Sequence, residues 1–135
     1  MKTLYLNLHK KWFDMIESGE KPEEYREVTN YWAVRLIENW NDLSVNAKKI
    51  MLETMNSTSF DEYELESCLE FKVKKFDKIH FKNGMARNGI HAPSFNIENK
   101  SINIGNGRPS WGAKPGKYYF VLKLGKIINN QKGKK

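Results

Sequence analysis

The residues with the clearest chemical potential lie between Ser18 and Arg26, in Ser-Gly-Glu-Lys-Pro-Glu-Glu-Tyr-Arg. A glycine turn here delivers one ammonium, adjacent carboxylates, a phenol and a guanidinium to the start of a strand. Lys21, Glu24 and Arg26 are the central candidates, and Tyr25 is a second candidate for ligand binding. If 21–28 is extended, Lys21, Glu23 and Tyr25 share one face, and Pro22, Glu24 and Arg26 the other. A Glu24–Arg26 ion pair on that face can orient the guanidinium for a phosphate or a base edge. Lys21 at the strand entrance can contact phosphate, or act as a base if burial and a neighbouring cation lower its pKa. The plainer alternative is a surface ion pair at a strand end, worth ~0–1 kcal/mol.

Further candidates lie elsewhere. Tyr5 and Asn7 alternate with leucines, so they share the polar side of the first strand, where a ring can stack on a base and an amide can bind its edge; an ordinary solvent-facing surface explains them equally well. Asn83-Gly84 makes a turn, with Arg87 and Asn88 just beyond it. Its backbone amides and Arg87 suit an anion, and a plain turn with a solvated arginine suits them as well. Trp111, in Pro-Ser-Trp-Gly, can stack on a base, although a tryptophan among turn residues more often plugs the end of a barrel. His9, His80 and His91 lack metal-ligand spacing with one another or with Cys68, so no metal is expected, and no cofactor motif is present.

The elements that must position these groups follow from periodicity. Leu4, Leu6 and Leu8 mark a strand with one buried face. Trp12, Phe13 and Ile16 recur at helical spacing to about Ser18, and Gly19 ends that helix. Lys21–Val28 reads as a strand. Thr29 or Asn30 can cap a helix over Tyr31–Trp40, and Leu43–Met55 supports another. Residues 56–69 read as an acidic exposed loop or short helix. Phe76–Lys82 alternates as a strand, Phe95–Glu98 and Ser101–Ile104 as a hairpin around Asn99-Lys100, and Tyr118–Ile128 as the last strand. Gly105–Gly116 is a loop. The expected fold is α+β, with five to six mostly antiparallel strands in a small curled sheet and the helices in the N-terminal half.

Charge is unevenly placed. Of the 23 basic and 16 acidic residues, 15 basic and two acidic fall in 71–135, whereas 50–70 has six acidic and none basic. A C-terminal half this basic suits a polyanionic partner, although part of the excess is the tail 129–135, expected to be flexible. The single cysteine excludes an internal disulfide and suits a reducing cytosol. No run of about 18 apolar residues exists, so no membrane helix is expected.

The chain resembles the ASCH domain, a branch of the PUA-like superfamily. The likeness is carried by Leu4-Tyr5-Leu6-Asn7-Leu8, by Trp12-Phe13 to Ile16, by Gly19-x-Lys21-x-x-Glu24-x-Arg26, by the turn after Phe81-x-Asn83-Gly84, and by the segment from Gly107-x-Pro109-x-Trp111-Gly112 to Tyr119-Phe120-Val121. Residues 40–70 stand apart and read as a helical, acidic insertion in one domain spanning 1–128. The resemblance implies a small β-barrel with a cleft lined by Lys21, Glu24 and Arg26, and RNA or a nucleotide-like molecule as ligand. It also implies an alternative. One enzymatic branch deacetylates N4-acetylcytidine with a lysine, a threonine three residues later and a distant glutamate. Lys21 matches the lysine, but the threonine position is Glu24. A hydrolase or ribonuclease of this fold would use Lys21 and Glu24. A third reading is a protein-interaction module acting through the acidic 56–70 segment.

Overall fold

The computed structural model describes residues 2–56, 72–84 and 92–131. Among the described residues, five strands and three α-helices follow one another as β1 (Thr3–Leu8), α1 (Lys10–Glu17), β2 (Glu23–Glu27), α2 (Asn30–Leu36), α3 (Val45–Met55), β3 (Lys78–Asn83), β4 (Ser94–Asn106) and β5 (Tyr118–Gln131), with 3-10 turns at Trp40–Asp42 and Pro109–Trp111. The fold is α+β, as expected. The strands form one mixed sheet in the order β1-β3-β4-β5-β2. The chain divides into two compact units. The first holds Met1–Glu24, Lys75–Ser101 and Leu122–Lys135, and the second Tyr25–Lys74 and Ile102–Val121.

In the first unit, Leu4, Leu6 and Leu8 are buried and alternate with exposed Tyr5 and Asn7. Ile79 and Phe81 on β3 and Phe95 and Ile97 on β4 continue the apolar face. Helix α1 covers it with Phe13 and Ile16. The Phe13 ring meets Phe95 edge-on at 4.9 Å, and Phe81 lies 5.7 Å from Phe95. Each such side chain fully withdrawn from water contributes ~1.5–3 kcal/mol. Gly19 stops α1 as its sequence position predicts. It adopts φ +87°, and its N–H donates to the Ile16 carbonyl at 3.1 Å.

β1 and β3 pair in parallel, with Tyr5 opposite His80 and Asn7 opposite Lys82, whereas β3 and β4 are antiparallel, with His80 opposite Asn96. Parallel pairing is open to β1 because its partner follows a long crossover instead of a tight turn.

In the second unit, Thr29 caps α2 by accepting the Trp32 N–H at 3.3 Å. The expected helix to Trp40 stops early, at Leu36. Ile37 turns extended and forms an antiparallel bridge with Val73, flanked by Glu38 N–H to Lys72 O at 2.7 Å and Lys74 N–H to Leu36 O at 2.8 Å. A β-branched residue offered a strand partner outweighs helical periodicity here. Trp40 is still fully buried, with its indole N–H donating to Asn30 Oδ1 at 2.8 Å. Helix α3 is capped by Ser44, whose Oγ accepts the Ala47 N–H at 3.1 Å. Only Met55 of α3 is buried, while Val45 and Ile50 face solvent.

The expected hairpin around Asn99-Lys100 is instead a single 13-residue strand, β4. Its buried apolar residues are odd-numbered at Phe95 and Ile97 and even-numbered at Ile102 and Ile104. That break in alternation lies within Glu98–Ser101 and imitates a turn in the sequence. The acidic stretch 57–70, including Cys68, lies outside the described residues.

Candidate functional site

The helix stop at Gly19 determines where Lys21 goes. Its N–H donates to the Met15 carbonyl at 2.9 Å, folding the chain back against α1. The Pro22 carbonyl then accepts the Leu124 N–H at 3.0 Å. Lys21 is therefore not a strand residue, since β2 begins at Glu23, and the face alternation expected for 21–26 does not extend to it. From the turn its Nζ lies 2.6 Å from Glu24 Oε1, with the two side chains only 2% and 7% exposed. The same Nζ sits 4.6 Å over the half-buried Trp12 ring. This is an ion pair withdrawn from water, not the exposed pair that the spacing suggests. Its Coulomb attraction is offset by desolvation, so its main effect is that neither partner tolerates loss of the other.

Arg26 belongs to the second unit, where its guanidinium lies 4.9 Å over the Trp32 ring. Tyr25 is committed to packing: its ring lies 5.7 Å from that of Tyr119, and its hydroxyl accepts the Arg108 N–H at 3.1 Å.

Tyr5 and Asn7 occupy the solvent side of the first unit's sheet, as their alternation with leucines predicts. The registers align two rows across β1, β3 and β4: Tyr5, His80 and Asn96, then Asn7, Lys82 and Ser94. Tyr5 is 72% exposed. Its ring is tilted 51° to that of His80 at 5.5 Å. His80 Nδ1 lies 3.0 Å from Asn96 Oδ1, which holds the imidazole in place. Tyr5, Leu6, Asn7, His80 and Lys82 line a hollow of about 400 Å³. The surface thus combines two ring systems, an amide and an ammonium on rigid strands. That set can stack on a planar group and neutralise an attached anion.

Asn83 ends β3, with its N–H donating to the Pro93 carbonyl at 2.9 Å, and Gly84 follows at φ +77°. Arg87 and Asn88 lie outside the described residues. Trp111 is half-buried, with the Arg108 guanidinium 4.9 Å over its ring.

His80, Lys82 and Arg108 are the residues that sequence reasoning missed. The alternation of 76–82 placed His80 and Lys82 on a strand, but nothing local identifies β1 as the neighbour. Among the described residues no group of His, Cys, Asp or Glu is arranged to hold a metal ion. No described helix is long and apolar enough to cross a membrane.

No family model matches this chain, and neither a curated protein nor a solved structure does.

Proposed function

We propose that this chain is an ASCH-type, PUA-like protein that binds RNA or a nucleotide-like ligand, and that the solvent side of β1 and β3 receives it. The observation that carries this reading is Tyr5, 72% exposed on a strand, beside His80 and above a hollow that Lys82 and Asn7 also line. A ring this exposed gains little for folding beyond its contact with His80, whereas stacking a base on it yields ~1–3 kcal/mol. Lys82 adds a phosphate contact, and the excess of basic over acidic residues in 71–135 supplies attraction at longer range.

Lys21 and Glu24 then support the site instead of touching ligand. Their pair holds the turn between α1 and β2, on the unit that carries Tyr5. A hydrolytic role for them would require the pair to separate beneath Trp12, so binding is the reading preferred.

The test is fluorescence anisotropy with a labelled single-stranded oligouridine. Affinity should fall by orders of magnitude between about 50 and about 200 mM salt if several phosphates are contacted. Tyr5→Ala and Lys82→Ala should each weaken binding. Salt-independent binding, or binding unchanged in both variants, would refute the reading.

A further inference from the structure

The loop after β4, in the second unit, is built with more care than a connection requires. Gly107 packs so closely that a Cβ there would lie 2.6 Å from that of Ala113 and 2.7 Å from Tyr25 Cζ. The Tyr25 hydroxyl accepts the Arg108 N–H at 3.1 Å, and the Tyr119 hydroxyl accepts the Lys114 N–H at 2.9 Å. Ala113, Tyr119 and Val121 form a buried cluster against which Tyr25 packs. Between the two pinned amides, the Trp111 and Ala113 N–H groups donate to the Arg108 carbonyl at 2.9 and 3.2 Å, and Gly112 takes φ +101° to close the turn. The underside is thereby fixed, while Arg108, Pro109, Ser110 and Lys114 are exposed above it.

What the loop presents is a guanidinium 4.9 Å over a half-buried indole. A stacked guanidinium keeps its N–H edge directed outward, where it matches two phosphate oxygens. An indole in partial contact with water offers a surface on which a base or sugar can lie. The loop itself carries basic residues and no acidic one, since none occurs after Glu98. One loop lysine, Lys117, is already engaged by Glu27 at 3.3 Å.

We infer that Arg108 and Trp111 form a second contact for single-stranded RNA, with the Arg108 edge on a backbone phosphate and the indole against the adjoining nucleoside. The contact is additional to the β1–β3 surface, and it rests on RNA being the ligand. Two tyrosine hydroxyls on backbone amides hold the loop in its bound shape before ligand arrives, which reduces the ordering cost of binding.

The experiment compares the full chain with Arg108→Gln, Trp111→Leu and Tyr5→Ala, using the same labelled oligouridine and checking each variant's thermal transition. Arg108 is exposed, so Arg108→Gln should fold as the parent does. It should bind about tenfold more weakly and reduce the slope of log affinity against log salt by about 0.7, the share of one phosphate on a single strand. Trp111→Leu should lose about tenfold in affinity with the slope kept. Parent-like affinity and slope in Arg108→Gln, with Tyr5→Ala weakened, would overturn the loop contact and spare the sheet surface. Loss in the loop variants with Tyr5→Ala unaffected would support the loop and overturn the sheet surface. Failure of the parent chain to bind oligouridine would overturn both.

Discussion

The ammonium of Lys21 lies 2.6 Å from the carboxylate of Glu24, and both side chains are almost wholly buried. An i,i+3 pair of this kind on a surface would be worth little. Here, removing one partner leaves a charge in a medium that cannot solvate it. Lys21→Ala should therefore destabilise the fold by ~3–5 kcal/mol, and an apolar double replacement, Lys21→Met with Glu24→Leu, should recover most of that loss. Urea denaturation of the three variants would measure this. A Lys21→Ala midpoint close to the parent's would mean that the pair is solvated after all.

Gly107 sets a second constraint. Because a Cβ at this position would press on Tyr25 and Ala113, Gly107→Ala should cost ~1–3 kcal/mol. Tyr25→Leu in the same chain should relieve part of the cost, giving a non-additive double-mutant cycle. Additive losses would place the clash elsewhere.

Tyr5 should behave in the opposite way to Lys21. Its ring is exposed, so Tyr5→Ala should leave the unfolding free energy within ~0.5 kcal/mol of the parent, while oligouridine binding weakens by ~1–3 kcal/mol. Thermal melts and anisotropy on one preparation would decide it. A marked drop in stability would show the ring to be structural.

The cap of α2 provides a control that does not involve ligand. Thr29→Ala removes the acceptor for the Trp32 N–H and should cost ~1 kcal/mol, with Thr29→Ser close to parent. Equal losses in both variants would point to the methyl group instead of the hydroxyl.

Local signals were legible in the chain. The leucine alternation of β1, the stop at Gly19 and a cap at Thr29 or Asn30 depend on neighbours a few residues away, and the structure chooses Thr29. What could not be read depends on distant partners. Ile37 leaves the helix because Val73 is there to pair with it. Glu98–Ser101 imitates a hairpin turn because the buried face of β4 changes parity at that point. Lys21 is drawn under Trp12 by a turn whose direction no spacing rule specifies. The candidate site divides in the same way. Tyr5 and Asn7 were visible from alternation alone, whereas His80 and Lys82 joined them only through a register set between distant strands.

That register has a consequence for how the molecule is made. Thr3 pairs with Lys78, and Lys2 bonds to Asp77 across 75 positions. On a ribosome, the leucines of β1 emerge well before β3 and cannot complete their sheet until residues 78–83 have also left the exit tunnel. For that interval β1 lacks β3, the strand it pairs with along its whole length. Synthesis paused before β3 should therefore yield a nascent chain open to proteases and chaperones, and release past β4 should close it.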